Sequence, residues 1–251
     1  MEKIRWGRYN PLPDLRRGWD LGVRKKPIRD LTPYEKRFRS QHGEDGILHA
    51  LFSFLGAPHR YFVEFGAGDG RENNTRHLSE LGWTGLRMDG GHESEALGVR
   101  REFIDAGNIN DLFRKYGVPD DFDLLSIDID GNDYWVWKAL DHRYRPRVVV
   151  MEYNANIPPE ESRTVPYDPN FRWDGSDFFG ASLLALKNLG ARKGYVLVGC
   201  DSSGTNAFFV QEPLVEGCFI RREAGDLYRP PVYRGRRQNH PHDPQRTMIL
   251  V

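Results

Sequence analysis

The stretch that decides the fold is YFVEFGAGDG, residues 61–70, in which a short apolar run leads directly into three closely spaced glycines. A run of this kind predicts a buried strand, and the glycines predict a sharp turn in which the backbone can approach a ligand. Apolar spacing typical of a helix follows over residues 74–81. The stretch therefore indicates the first strand, turn and helix of an α/β domain.

The same alternation continues along the chain. It predicts a mostly parallel sheet with helices on both faces, closed by an antiparallel hairpin at residues 201–205. We predict helices at 41–56, 74–81, 109–116, 134–140 and 181–189, and strands at 61–65, 85–88, 101–104, 123–127, 147–152, 195–200 and 206–211.

The charge distribution divides the chain into three parts. The 251 residues carry 36 basic and 36 acidic side chains, but residues 1–40 carry a net charge of +7 and residues 221–251 a net charge of +4. The remainder, residues 41–220, has a net charge of −11. We therefore expect a basic N-terminal arm (1–40), an acidic central domain (41–220) and a basic C-terminal arm (221–251).

Composition narrows the function classes. Zero net charge argues against a uniformly basic nucleic-acid binder. A mean hydropathy of −0.65, short apolar runs and the absence of an apolar leader predict a protein with no membrane span and no secretory signal. Only Cys200 and Cys218 are present, so we expect no disulfide framework and a cytoplasmic location.

The glycine turn favours a nucleoside cofactor without phosphates. Its spacing is G-x-G-x-G rather than the G-x-G-x-x-G of pyrophosphate sites, and Glu64 and Asp69 beside it would repel phosphate. Carboxylates would instead suit a sulfonium cation. Asp89, at the end of the next predicted strand, can accept both hydroxyls of a ribose. The pattern indicates S-adenosylmethionine rather than NAD.

A second acidic group follows the fourth and fifth predicted strands. Asp128, Asp130 and Asp133 lie within six residues, and Glu152 and Asn154 end the neighbouring strand. These oxygens predict a site for Mg²⁺, although direct substrate contact is an equal alternative. Capping of the helix that begins near residue 134 is an equal alternative for Asp133.

Two further segments complete the prediction. The long irregular stretch 154–179, with Tyr167, Phe171 and Trp173, is expected to close over substrate or to form a subunit contact. His240-Pro241-His242, in the basic C-terminal arm, is expected to be a solvated tail rather than a zinc site.

With these residues identified, the sequence resembles the FkbM-like branch of S-adenosylmethionine-dependent methyltransferases, and also the metal-dependent sugar O-methyltransferases of macrolide biosynthesis. The resemblance spans about 170 residues. It is carried by the segments SQHGEDGIL (40–48), YFVEFGAGDGRENNT (61–75), LRMDG (86–90), DLLSIDIDGNDYWVWKAL (123–140), PRVVVMEYN (146–154) and NAFFV (206–210).

The resemblance implies a class I methyltransferase fold, a Rossmann-like seven-stranded sheet with its last strand antiparallel. It places the cofactor at Glu64, Gly66, Gly68, Asp69, Asn74, Asp89 and Asn108, and a metal at Asp128, Glu152 and Asn154. The chain offers Glu-x-Asn where the macrolide enzymes have adjacent aspartates.

The predicted function is an O-methyltransferase acting on a hydroxyl of a sugar, glycolipid, polysaccharide or natural product. Asp128, Asp130 and Asp133 are the candidate catalytic residues, and Mg²⁺ is the candidate assisting ion. The alternative is a non-catalytic scaffold that docks a partner through its basic arms. No nucleic-acid partner is expected, and the arms are candidates for homo-oligomer contacts.

Overall fold

The computed structural model describes residues 27–251, and most of the predicted N-terminal arm lies outside this range. A seven-stranded sheet in the order β3-β2-β1-β4-β5-β8-β7 forms the centre. Its strands are β1 (Tyr61–Phe65), β2 (Thr84–Asp89), β3 (Val99–Arg101), β4 (Asp121–Ile127), β5 (Arg145–Glu152), β7 (Tyr195–Cys200) and β8 (Asn206–Gln211).

Strands β1 to β5 are parallel, and β8 pairs antiparallel with both β5 and β7. Parallel pairing aligns the carboxyl ends of the first five strands along one edge, where ligands bind in sheets of this kind. The α/β fold with a mostly parallel seven-stranded sheet and a C-terminal antiparallel hairpin is therefore confirmed.

Six helices accompany the sheet within the described residues. They are α1 (Glu44–Leu55), α2 (Arg76–Glu80), α3 (Ile109–Lys115), α4 (Asp133–Ala139), α5 (Leu183–Arg192) and α6 (Ala224–Leu227). Single 3₁₀ turns lie at Thr32–Tyr34 and Glu212–Leu214. None of the helices in this part of the chain is long and apolar enough to cross a membrane.

Two hydrophobic layers cover the two faces of the sheet. On one face, α1 packs through Leu48 and Leu51 against even-numbered strand residues such as Phe62, Val150 and Phe208. The opposite layer contains odd-numbered strand residues with α3, α4 and α5. Because side chains alternate along a strand, even-numbered residues of β1, β5 and β8 face the α1 layer and odd-numbered residues face the opposite layer, whereas in β2 the even-numbered Leu86 and Met88 belong to the opposite layer.

Most predicted elements agree with the structure to within two residues at each end, but the third strand, the first helix and the fifth helix each differ by three residues at one end. The third strand lies at Val99–Arg101 rather than 101–104, because that segment pairs with Arg87–Asp89. The second helix begins at Arg76, since the preceding amides of Asn74 and Thr75 donate to the Glu64 carboxylate instead.

Short pairings hold the end of the chain against the domain. Strand β11 (Ile249–Leu250) pairs with β6 (Arg163–Thr164), which lies inside the predicted irregular stretch. A small hairpin joins β9 (Val232–Tyr233) to β10 (Arg236–Arg237). The C-terminal segment thus contacts the long loop at 154–179. The predicted boundaries of the central domain and the two arms stay predictions.

Candidate functional site

The predicted site residues gather at the carboxyl edge of the parallel strands. Strand pairing places Phe65 beside both Met88 and Ile127, and Ile127 beside Met151. The residues that follow these positions therefore end neighbouring strands side by side. Glu64, Ser126 and Glu152 each lie two residues after a strand residue that packs in the α1 layer, namely Phe62, Leu124 and Val150. Their side chains therefore face the same layer.

The glycine turn after β1 has space for a ligand. Gly66 (φ 70°) passes so close to β4 that a Cβ there would lie 1.5 Å from the carbonyl oxygen of Asp128. A Cβ at Gly68 (φ 55°) would instead meet no protein atom within 4 Å. Both conformations favour glycine, and the second leaves an open volume beside the turn.

Asp89 fixes this turn from the neighbouring strand. Its Oδ2 accepts the Gly68 amide at 2.9 Å, and its Oδ1 accepts the Gly91 and His92 amides at 2.8 Å each. Burial alone would raise the pKa of Asp89, but these donors and the His92 ring at 3.0 Å lower it below its ordinary value. The carboxylate is therefore ionised and held in one orientation at the end of β2.

The Glu64 carboxylate accepts hydrogen bonds from residues within the turn. One oxygen accepts the Asn74 amide at 2.8 Å, and the other accepts the amide and hydroxyl of Thr75, with Arg87 Nε at 3.8 Å. Burial raises the pKa of the Glu64 carboxyl against these favourable contacts. Asn74 in turn donates to Ser126 Oγ at 3.0 Å. Both residues therefore shape the turn.

Two other predicted cofactor residues make local bonds. Asp69 is exposed and accepts the Arg71 amide at 3.0 Å. Asn108 accepts the Asp105 amide at 2.9 Å and donates to the Phe103 carbonyl at 2.7 Å, which closes the loop before α3. Their side chains hold the two loops that border the open volume.

Three carboxylates meet at the ends of β4 and β5. Oxygens of Asp128, Asp130 and Glu152 all lie within 4.8 Å of one another. Asp130 has φ 62°, a left-handed conformation that non-glycine residues seldom adopt and that clusters at functional sites. The turn therefore holds the Asp130 carboxylate beside the other two at a cost in backbone conformational energy.

The electrostatics of this cluster favour a positive ligand. Burial, followed by the charges of Asp130 and Asp133, holds the pKa of Asp128 well above its ordinary range. Burial and Asp128 do the same for the pKa of Glu152. Glu152 Oε2 is buried and accepts no hydrogen bond from any residue that the structure describes. An unpartnered buried acceptor among like charges is costly unless a proton, a donor or a cation compensates it.

The carboxylate cluster and Asp89 belong to one site. The pKa of Asp130 is raised first by burial and then by the negative charge of Asp89. The two groups are therefore within electrostatic reach of each other across the open volume beside Gly68. Asp89 and the acidic pocket formed by Asp128, Asp130 and Glu152 therefore lie together at the carboxyl edge of the sheet, which is the candidate ligand cleft.

Asp133 and Asn154 lie near the cluster but are occupied. Asp133 accepts the Ile129 amide at 2.8 Å and the Gly131 amide at 2.9 Å, and burial raises its pKa to about 6. Asn154 donates to the carbonyls of residues 177 and 179 at 2.8 Å each, and its Oδ1 accepts two bonds from Asn156. The structure thus brings Asp130 to the two predicted metal ligands Asp128 and Glu152, while the Asn154 side chain is hydrogen-bonded within the loop.

The loop 154–179 lies across the cleft. Phe171 packs on Gly131, where a Cβ would come within 2.2 Å of its ring, and Asn132 Nδ2 donates to the Asp168 carbonyl at 2.7 Å. On the other side, the Arg172 guanidinium lies 4.5 Å from the centroid of the Phe103 ring. Phe103 packs in turn beside Gly90, next to Asp89. The loop therefore contacts both the turn after β4 and the end of β2.

The expectation of a solvated tail at His240 is wrong. The ring lies among Tyr233, Phe179 and Trp173, with centroids 4.3, 5.2 and 5.5 Å away. Its amide donates to Asn156 Oδ1 at 2.8 Å. Two of these rings, Phe179 and Trp173, belong to the long loop and are distant in sequence, so no local pattern around residue 240 indicates their packing.

Sequence reasoning missed two polar residues at the edge of the cluster. Asn206 pairs with Glu152 across β5 and β8, and its Nδ2 donates to Glu44 Oε1 at 2.7 Å. Both are buried, with 3% and 2% exposure. The signal was present: a hairpin at 201–205 places Asn206 at the start of the last strand, opposite the end of β5.

Two methyltransferases are among the solved structures to which this chain is similar. The glycopeptide N-methyltransferase MtfA complexed with (S)-adenosyl-L-homocysteine aligns with a TM-score of 0.38 and 13% identity, over 76% of this chain and 94% of that chain. The MycE methyltransferase from the mycinamycin biosynthetic pathway, in complex with Mg and SAH, aligns with a TM-score of 0.34 and 16% identity. That alignment covers 78% of this chain and 52% of MycE. No family model and no curated protein matches the chain.

Proposed function

We propose that the chain is an S-adenosylmethionine-dependent O-methyltransferase that acts on a hydroxyl of a sugar, a glycolipid or polysaccharide, or a natural product. One observation carries the proposal. Asp89, an oriented carboxylate at the end of β2 that is bonded to the glycine turn, lies within electrostatic reach of the acidic pocket at the ends of β4 and β5.

The residues of the turn fit a nucleoside with a cationic end. Gly68 leaves open space, and the Asp89 carboxylate, which accepts the Gly68, Gly91 and His92 amides, would repel a pyrophosphate at this turn. Asp89 is ionised and can accept ribose hydroxyls. The acidic cluster supplies a negative potential toward a sulfonium group.

S-adenosylmethionine, when bound, supplies a methyl group on sulfur: the carbon–sulfur bond breaks as the acceptor oxygen bonds to that carbon. The residues of the chain orient the acceptor and take its proton. Asp130 is the exposed member of the carboxylate cluster, and partial burial of its carboxyl together with the charge of Asp89 raises its pKa above the ordinary value. We assign it as the proton acceptor.

A divalent ion fits the same pocket. Asp128 and Glu152 offer hard oxygen ligands, and the unpartnered Oε2 of Glu152 is the kind of buried atom that an ion would satisfy. Mg²⁺ held there would lower the pKa of a bound hydroxyl. Aromatic side chains of the loop, Phe171 and Trp173, would pack against a sugar ring.

Calorimetric titration with S-adenosylmethionine and S-adenosylhomocysteine tests the cofactor assignment. We expect near-stoichiometric binding of both by the wild-type chain. Methyl transfer to a panel of sugar diols, amino sugars and glycosylated natural products, each with and without Mg²⁺, then tests the acceptor class. Lack of cofactor binding would contradict the proposal.

The second candidate is a scaffold that keeps the fold without turnover, and the net charge of +7 over residues 1–40 favours a docking role for that segment. Binding of cofactor without transfer to any acceptor would favour it. The arm boundaries, oligomerisation through the arms, the lack of a nucleic-acid partner and the cytoplasmic location stay predictions.

A further inference from the structure

One residue beside the acidic pocket, Asn206, is not among the predicted metal ligands. Asn206 stands directly opposite Glu152 in the antiparallel β5–β8 pair. Directly paired residues project to the same face of a sheet, with Cβ atoms about 5 Å apart. The Asn206 side chain therefore borders Glu152 on the face that also carries α1.

The orientation of the Asn206 amide is fixed. Its Nδ2 donates to Glu44 Oε1 at 2.7 Å, while Glu44 Oε2 accepts the His42 amide at 2.7 Å. Two hydrogen bonds thus hold the Glu44 carboxylate. Since a carboxylate accepts and an amide nitrogen donates, the opposite end of the Asn206 side chain is its carbonyl oxygen.

That oxygen has no partner. Asn206 is 3% exposed, and its Oδ1 is buried without a hydrogen bond from any described residue. The Glu152 Oε2 on the neighbouring strand is in the same condition. Two buried acceptors side by side, with no donor between them, are rare in folded proteins because each loses its hydration without compensation.

One ligand satisfies both atoms. A cation between the two strands would compensate these two acceptors together with Asp128, which has an oxygen within 4.8 Å of one of Glu152. A neutral amide oxygen beside two carboxylates is a common ligand set for hard cations, and it contains no nitrogen or sulfur that would favour zinc.

We propose that Asn206 Oδ1 is a ligand of the divalent cation held by Asp128 and Glu152, and that Asn154, the ligand implied by sequence resemblance, anchors the loop instead. The inference rests on the metal assistance in the proposed function. It names Mg²⁺ or Mn²⁺ as the ion class and places the site across three neighbouring strands, β4, β5 and β8.

Titration of the purified full chain with Mn²⁺, followed by electron paramagnetic resonance of the free ion, tests the inference without any turnover. We expect Asn206→Leu to weaken Mn²⁺ binding by at least ~10-fold. Asn206→Asp keeps an oxygen in place and is expected to retain binding. Asn154→Ala is expected to leave the Mn²⁺ affinity within about twofold, since the affinity of a ligand set depends on its own oxygens.

A second measurement uses the wild-type protein and does not depend on the folding of a variant. Crystals soaked with Mn²⁺ should show an anomalous peak within bonding distance of Asn206 Oδ1, Glu152 and Asp128. An ion bonded to Glu152 but not to Asn206, loss of binding in Asn154→Ala alone, or no Mn²⁺ binding by the wild type would overturn the inference. Calorimetry with S-adenosylhomocysteine on the same samples separates this failure from failure of the methyltransferase proposal.

Discussion

The carboxylate of Asp89 accepts a hydrogen bond from the backbone amide of Gly68 at 2.9 Å, which joins the end of β2 to the glycine turn after β1. Asp89→Ala removes this bond and the acceptor proposed for the ribose hydroxyls. Hydrogen bonds to charged groups contribute about 1.5–3 kcal/mol, so we expect S-adenosylhomocysteine affinity to fall roughly 10- to 100-fold. Calorimetry measures it. The matched control is Asp111→Ala, which removes an exposed carboxylate of α3 that pairs with Arg114. This variant should bind S-adenosylhomocysteine like wild type.

A substitution at Glu64 distinguishes a structural role of this residue from a ligand-binding role. Its carboxylate lies 3.8 Å from the buried Arg87 guanidinium and accepts three bonds from Asn74 and Thr75. Because Glu64→Gln leaves a buried cation without its counter-ion, we expect the free energy of unfolding to fall by about 3 kcal/mol. Urea denaturation measures the change. Glu80→Gln, which removes a partly exposed partner of Arg39, is the control and should cost less than about 1 kcal/mol.

If Glu64→Gln kept full stability and lost only cofactor affinity, Glu64 would contact the cofactor directly, as the sequence resemblance implied. The interior contacts of both oxygens favour the structural outcome. In that outcome the lost cofactor affinity should return when binding is measured at a temperature well below the unfolding transition.

Asp130 is expected to act on the proton of the acceptor. Asp130→Asn keeps the shape of the side chain, and asparagine tolerates the left-handed backbone at φ 62°. The amide cannot accept the hydroxyl proton, so kcat should fall by about 10²- to 10⁴-fold while affinity for S-adenosylhomocysteine changes little. Steady-state methyl transfer and calorimetry on the same variant give both values. Unchanged kcat would assign the proton to another group.

Local pattern was sufficient for most of the fold. Strands β1, β7 and β8 were predicted with their observed bounds, because a short apolar run followed by glycine or a turn leaves few alternatives. Strand β3 was displaced, since its polar sequence Val99-Arg100-Arg101 carries no period and only pairing with β2 defines it.

The sequence was sufficient to predict the position of the candidate site at the strand ends, but not the side-chain contacts within it. Strand ends gave Asp89, Asp128 and Glu152, since parallel strands bring their carboxyl ends together. Sequence could not show that the Asn154 side chain is bonded to the loop while Asn206 Oδ1 is buried without a partner among the described residues. That distinction depends on side-chain bonds between segments about 20 to 160 residues apart, which leave no local signature.

Arg172 is expected to hold the loop closed over the nucleoside end of the cleft. Its guanidinium lies on the Phe103 ring at 4.5 Å, beside Gly90. Arg172→Ala removes a cation–π contact of about 0.5–1 kcal/mol at an exposed site, so S-adenosylhomocysteine should dissociate roughly 2- to 5-fold faster. Stopped-flow displacement measures the rate. Arg221→Ala, which pairs with Glu212 away from the loop, should dissociate at the wild-type rate.

His240 makes the packing of the C-terminal segment sensitive to acid. Burial among the rings of Tyr233, Phe179 and Trp173 lowers the pKa of His240, against a smaller opposing effect of Asp177. Between the lowered pKa and the ordinary value near 6.5, the unfolded chain binds more protons than the folded one at this residue. The contribution of His240 to stability is therefore complete above pH 7 and decreases as the pH falls through 6.5.

His240→Phe keeps an aromatic ring in the packing and removes the titration. We expect the difference in Tm between pH 7.5 and pH 5.5 to be smaller in His240→Phe than in wild type. His142→Phe alters an exposed histidine and should keep the wild-type difference. Equal pH dependence in His240→Phe and wild type would show that protonation of His240 does not release the segment. Since Asn156 binds both His240 and Asn154, a released segment should also expose the loop, measurable as faster amide exchange at residues 171–179.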